Sequence, residues 1–356
     1  MFLSHDRARR DIRKAMRKVI GLVVLAVSVA SITARADNVA NRVKKAVEKG
    51  TLDQPGTKPF HLKAALTPSL ERDNVSGRTG TVEIWWTSPT RWRREVACPT
   101  FHQIQVVDGD KVWERNDGDY FPEWLRNLAV ELINPVPKLR EALVQMDSGE
   151  VKDTLGTTYI QWMIPSSDGL VKSWIGATIA LNDGTGLLFY GGAFGWDGLF
   201  HDYRNFHGRM VAQTVSAGSP EVTAKVTVLE DLKEAPDLFD VSAPGGDGPP
   251  LRTIFIDESA VRGNLLPTDP AKWPAVKDGP LEGAATAEIA IDREGKVREV
   301  KSVVSVNNAV REAAMQQIPA MRFKPFLLNG VPVQVVSRIT LSFKTTRPSQ
   351  SGSTQP

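Results

Sequence analysis

Over most of this chain apolar and polar residues alternate with a period of two, and the helical period appears only in short stretches. Alternation of that kind marks strands with one buried and one wet face, because successive side chains of a strand point to opposite sides. Val82, Ile84 and Trp86 fall on one side of such a run and Thr81, Glu83 and Trp85 on the other. Similar runs surround Ile104 and Val106 and then Val112, with Asp108-Gly109 between them as a hairpin turn. After a helical interlude, runs at 158–163, 176–181, 187–190, 210–214 and 222–229 continue the pattern, separated by turn signals such as Asn182-Asp183-Gly184. These predict consecutive antiparallel strands.

The helical period occurs first at Val39, Val43, Ala46 and Val47, capped by Asp37 or Asn38 and ended by Gly50. It returns at Trp124, Leu125, Leu128 and Leu132 behind Pro122, and again from Lys138 behind Pro137. Proline suits the first helical position because its missing N–H has no partner there anyway. Residues 37–241 thus read as a curved antiparallel sheet with inserted helices. Between Ser242 and Pro250 the chain is rich in Gly and Pro, and Pro267, Pro270, Pro274 and Pro280 follow, so 242–280 reads as a linker and irregular connection. The stretch around Thr253 to Asp257 can be a strand belonging to either side.

From Gly283 the pattern is compact. Ala285, Ala287, Ile289 and Ile291 alternate with Thr286, Glu288 and Ala290, the turn Asp292-Arg293-Glu294-Gly295 follows, and Lys296 to Val306 forms the return strand. Asn308 can cap a helix with Val310, Ala314, Ile318 and Met321 on one face, and after Asn329-Gly330 a last strand carries Val333, Val335, Ile339, Leu341 and Phe343 on one face. The order is β, β, α, β. The strand and turn "AEIAIDREGKV", the helix ending in "RFKP" and the "NGVPVQV" that opens the last strand resemble the C-terminal domain family of the energy transducer TonB. The resemblance spans about residues 281–346, with Met321 where the family usually has an aromatic and Val306-Asn307 where it has Ser-Gly. It implies a last strand at a sheet edge that accepts an extended peptide from an outer-membrane receptor, through Val333, Gln334, Val335, Val336, Ser337, Arg338 and Ile339. Backbone hydrogen bonds supply such contacts and side chains set the register. The bland alternative is an edge guarded by Arg338 and Gln334.

Composition narrows the compartment. Arg7, Arg9, Arg10, Arg13, Lys14, Arg17 and Lys18 precede the apolar run Val19 to Ile32, and Ala34-Arg35-Ala36 has the small-x-small form of a cleavage site. Residues 1–36 therefore read as a secretory signal peptide cleaved after Ala36, with Met16 an alternative start and an uncleaved inner-membrane anchor the competing reading. The apolar run is well short of the roughly 20 residues that span a bilayer. Without the leader the chain holds 36 basic and 39 acidic residues, which argues against nucleic acid as a partner. The single cysteine, Cys98, allows no intrachain disulfide, so stability rests on the cores. The last ten residues read as a disordered tail.

Candidate chemistry is sparse. Cys98 beside His102 has the residues of a nucleophile and a base but no orienting third group, and a small apolar side chain in a strand is the preferred reading. His201, Asp202 and His207 lack tight metal-ligand spacing. No G-x-S-x-G elbow or phosphate-cradling glycine loop occurs, so no catalytic residue, metal or cofactor is expected.

Eight of the nine Trp residues lie between Trp85 and Trp196, either as core fillers or as a cavity lining. The segments "KPFHLKAAL", "GTVEIWWTSPTRWRREV" and "DYRNFHGRMVAQTV" look like the lipoprotein-carrier superfamily, whose members bend a sheet into a half-barrel around helices. That likeness implies an acyl-chain site lined by Trp86, Trp92, Trp124, Leu125 and Leu128. The expectation is an α+β protein of the periplasm: an N-terminal curved antiparallel half-barrel with inserted helices and a small C-terminal ββαβ module. It docks an outer-membrane receptor or other envelope protein, or alternatively carries a lipid or acyl chain. Such a chain lacks the long spacer of a full transducer, since the linker is too short even at roughly 3.1 Å per residue.

Overall fold

The computed structural model describes residues 39–69, 77–145, 150–154, 156–165, 173–193, 196–217, 222–233, 237–269 and 272–348. The expected signal peptide, residues 1–36, and most of the expected tail, residues 347–356, lie outside them. The fold is α+β, with two sheets, each with its own hydrophobic core.

The larger sheet has twelve strands. β1 (Phe60–Pro68), β2 (Gly80–Ser88), β3 (Arg91–Cys98), β4 (Phe101–Asp108) and β5 (Lys111–Asp117) form one meander. The second comprises β6 (Glu150–Thr154), β7 (Thr157–Pro165), β8 (Ser173–Asn182), β9 (Leu188–Ala193), β10 (Trp196–Phe206), β11 (Arg209–Ala217) and β12 (Val222–Asp231). The two meet where β1 pairs antiparallel with β12, which leaves β5 and β6 as the outer strands of an open sheet. Alternation dictated this assembly: Val82, Ile84 and Trp86 are buried, as are Val222 and Ala224, while their neighbours are not.

The chain leaves this sheet at β5 and re-enters at β6, its opposite border, and between them lie α2 (Glu123–Glu131) and α3 (Leu139–Gln145). The connection must therefore cross the sheet. α2 touches β3 on one half and β10 and β11 on the other, so the sheet wraps around the helix in half-barrel fashion. The first helix, α1 (residues 39–50), adds Val43, Ala46 and Val47 to the same core.

The smaller sheet contains β13 (Thr253–Phe255), β14 (Glu282–Ile291), β15 (Val297–Val304), β16 (Phe326–Leu328) and β17 (Val331–Lys344), with order β13-β17-β14-β15 and β16 on β17. Helix α4 (Glu258–Gly263) lies between β13 and β14, and α5 (Asn308–Gln317) packs on the sheet through Val310 and Ala314. The ββαβ order is as the pattern predicts. Asn307 rather than Asn308 caps α5, its Oδ1 accepting from the Val310 N–H at 2.9 Å. Residues 253–263, part of the expected linker, supply a strand and a helix to this sheet instead.

Candidate functional site

The half-barrel holds a cavity of about 140 Å³ between its inner face and α2. β2 contributes Ile84 and Trp86, β3 contributes Trp92 and Arg94, and the helical side contributes Ala129, Val130 and Ile133, with Asp53 completing the wall. Trp86 stacks on Phe60 with ring centroids 5.3 Å apart and donates from its indole to Asp53 Oδ1 at 3.1 Å. Burial raises the Asp53 carboxyl above its ordinary pKa, and the Trp86 bond only partly offsets this.

Of the expected lining residues, Trp86 and Trp92 do line the cavity. Trp124, Leu125 and Leu128 do not: they are buried in the hydrophobic core, and the next turn of α2 faces the space. The physical reason is that α2 is buried nearly all round, with Glu123, Asn127 and Glu131 as inaccessible as its apolar residues. Its polar face is covered as well as its apolar one, so periodicity does not tell which of them meets the cavity.

Arg94 was not anticipated, although it shares the inward parity of Trp92 and Val96. Its Nη2 donates to Gln103 Oε1 at 3.2 Å and Gln105 Oε1 at 2.9 Å, and its guanidinium lies 5.6 Å from the Trp92 ring centroid and 6.0 Å from that of Phe121. Its Nε is sealed from solvent without an acceptor. Burial lowers its pKa to about 10, with Glu114 opposing that shift, so it remains charged at neutral pH.

The second expected site is the border of β17, and here the structure corrects the expectation. Val333 to Ile339 is not a free edge. β14 pairs with one side of it, and on the other β16 covers Val331 to Val333 while β13 runs parallel to Gln334, Val335 and Val336. Gln334 N–H donates to Arg252 O at 2.9 Å, Ile256 N–H to Val336 O at 3.2 Å, and the Ser337 hydroxyl to Ile256 O at 2.7 Å. Farther along, Glu258 of α4 accepts from the Thr340 N–H at 2.7 Å and from its hydroxyl at 2.9 Å, while Arg262 donates to Thr340 O. Two side chains thus occupy the backbone groups that another strand would use.

One face of β17 is consumed as well. Val333, Val335 and Ile339 fill the core of the small domain. Gln334 and Val336 are buried under the larger one, Val336 against Tyr120. Of the seven expected contact residues, only Arg338 is exposed. The reason is tertiary: a three-residue strand from a Pro- and Gly-rich stretch decides whether β17 is an edge.

The buried face joins the domains. Glu299 of β15 accepts from the Tyr120 hydroxyl and from the Glu123 N–H, both at 2.9 Å, placing a carboxylate at the N-terminus of α2, where the exposed amides favour negative charge. Arg298 bridges Asp119 at 3.0 Å and Asp292 at 3.1 Å. Arg126 of α2 stacks 4.4 Å from the Trp196 ring centroid and 5.6 Å from that of Phe255 in β13. The helix that walls the cavity is therefore held at its start by the small domain.

The residues weighed for chemistry are apart. Cys98 lies opposite Phe101 on the inner face and contacts the core, whereas His102 is opposite Ala97 and bonds Glu95 at 3.0 Å. His207 pairs with Asp231 at 2.6 Å, Asp202 accepts from the Thr214 hydroxyl at 2.7 Å, and His201 meets Phe189 edge-on. No group of metal-ligating side chains converges among the described residues.

An open sheet wrapped on a helix and clasped by a small ββαβ domain defines a two-domain α+β scaffold with an apolar cavity and a long last strand. Residues 274–345 match the family model of the Gram-negative bacterial TonB protein C-terminal. No curated protein sequence matches the chain. Among solved structures it is similar to a LolA superfamily protein from Nitrosomonas europaea, with TM-score 0.34, 11% identity, and 56% of this chain and 97% of that one covered. A DUF1329 family protein from Desulfovibrio piger gives TM-score 0.31, 8% identity, and coverage of 58% and 96%.

Proposed function

We propose that this is an exported, periplasmic protein of TonB-type envelope transport, which acts by binding rather than catalysis and docks an outer-membrane partner through its C-terminal module. The observation that carries this reading is the family match over 274–345, on a module with the expected ββαβ order. The coverage of β17 by β13 makes docking conditional. A net contribution of about 0.5–1.5 kcal/mol per hydrogen bond puts the cost of displacing this short ladder at roughly 2–5 kcal/mol, which a longer partner strand can recover. The test is capture of a peptide from the periplasmic terminus of an outer-membrane receptor by the mature chain and by Ile254→Pro, which breaks β13. Capture by the native chain, strengthened in the variant, supports docking at β17; absence of capture by both rejects it.

The cavity favours a second reading, carriage of a lipid or acyl chain. At about 140 Å³ it is close to the engineered cavity of about 150 Å³ that holds benzene, so a long chain requires α2 to move outward. Mass spectrometry of organic extracts from the purified mature protein tests this reading. A co-purifying lipid supports it, and extracts free of lipid count against it.

A further inference from the structure

We propose that the cavity beneath α2 is a site for a small anionic amphiphile, a carboxylate bearing a short apolar chain or ring, whose head group pairs with Arg94. This rests on the reading of that cavity as a ligand site. The wall is apolar on most sides, through Ile84, Trp86, Trp92, Ala129, Val130 and Ile133. A lining of that kind selects an apolar body but does not by itself explain a guanidinium.

Arg94 is the unusual member. Its Nη2 donates to the neutral amide oxygens of Gln103 and Gln105, its Nη1 has no acceptor among the described residues, and the guanidinium forms no ion pair among them. The nearest compensating carboxylate, Glu114, is committed elsewhere: Oε2 accepts from Gln105 at 2.7 Å, and Oε1 from Asn116 at 2.7 Å and from the Leu251 N–H at 2.8 Å. A charge partly withdrawn from water is tolerated when it is paired, and this half-buried one faces an apolar space with no carboxylate bound to it. A carboxylate supplies the missing acceptor in charge-assisted form.

Asp53, the other ionisable group of the lining, does not cancel this preference. It is engaged by the Trp86 indole, and burial disfavours its charged form. Size sets the remainder of the ligand: a space of about 140 Å³ accepts about six carbons.

The test is titration of the mature protein with hexanoate, 1-hexanol and hexylamine, followed by tryptophan fluorescence and calorimetry. Trp86 and Trp92 form the wall and report occupancy directly. The expected result is hexanoate binding at least about tenfold tighter than either neutral or cationic analogue. Arg94→Met abolishes that preference and Arg94→Lys retains its sign. The comparison on the native chain needs no variant, so a misfolded variant leaves the test intact. Equal binding of hexanoate and hexanol overturns the head-group assignment while the cavity survives as an apolar site. Binding of none of the three rejects the cavity reading, and this inference with it.

Discussion

The side-chain amide of Gln334 holds both backbone groups of Phe121: the Phe121 N–H donates to Gln334 Oε1 at 2.7 Å, and Gln334 Nε2 donates to Phe121 O at 3.1 Å. One residue of the small domain thus completes the hydrogen bonding of the segment that leads into α2, across 213 positions of sequence. A side chain that sequence alone assigns to partner recognition is already occupied within the molecule.

Gln334→Ala leaves a buried N–H and a buried C=O of Phe121 without partners, and each costs about 1–3 kcal/mol. The expected loss is therefore about 2–6 kcal/mol, read by denaturant unfolding of the protein. A change within about 0.5 kcal/mol, the range of ordinary surface substitutions, contradicts the interdomain role.

Glu131 makes stability depend on pH in an unusual direction. It is fully buried, and burial, reinforced by nearby Asp197, raises its pKa well above the ordinary 4.5. The folded chain then holds this proton where the unfolded chain has released it. Its contribution to stability is complete below the unfolded value and is lost as pH rises through that value towards the folded one. Glu131→Gln is expected to be more stable at neutral pH by about 1 kcal/mol or more, because it removes an ionisable group whose charged form burial and Asp197 disfavour. Its stability profile above pH 4.5 should also be flatter than that of the native chain, as read by thermal unfolding across pH.

Two glycines in turns of the small domain separate backbone strain from steric conflict. Gly295 has φ +83°, and a Cβ there would lie 1.9 Å from Phe323 O, whose residue also donates its N–H to Gly295 O at 2.8 Å. Gly330 has nearly the same φ, +81°, with nothing within 4 Å of a Cβ. Gly330→Ala should cost about 1 kcal/mol from conformation alone, and Gly295→Ala more than about 3 kcal/mol because the adjoining chain must also move. Similar midpoints for the two variants in thermal melts contradict the close approach at Phe323.

Much of this architecture was legible because it is written in local alternation. Val82, Ile84 and Trp86, or Ala285, Ala287, Ile289 and Ile291, declare both a strand and its buried side. Gly295 declares its turn through the left-handed backbone that it adopts. The cavity was half legible: Trp86 and Trp92 lie on an alternating strand, but the polar stripe of α2, Glu123, Asn127 and Glu131, is buried like its apolar one and so does not mark which face meets the cavity. The status of β17 was not legible. An edge is a property of what lies beside a strand, and Thr253 to Phe255 is too short for a pattern.

That dependence gives two proline substitutions opposite consequences. Val335 is paired with Ile291 in β14 and with Ile254 in β13, but the amides of Gln334 and Ile256 bond across the β13–β17 border, so the alternation directs the Val335 N–H towards β14. Val335→Pro therefore removes a central ladder bond and places a rigid ring in the module core, and it is expected to unfold the small sheet at a cost of about 3 kcal/mol or more. Ile254→Pro acts on the outer, three-residue strand and leaves β14, β15 and β17 paired. Hydrogen exchange distinguishes the cases. In Ile254→Pro, protection should fall at Gln334 and Ile256, whose N–H groups bond across the β13–β17 border, and persist along β14. Loss of protection throughout β14 in Ile254→Pro would mean that β13 is an integral part of the small domain, and β17 would then have no border that a partner could reach.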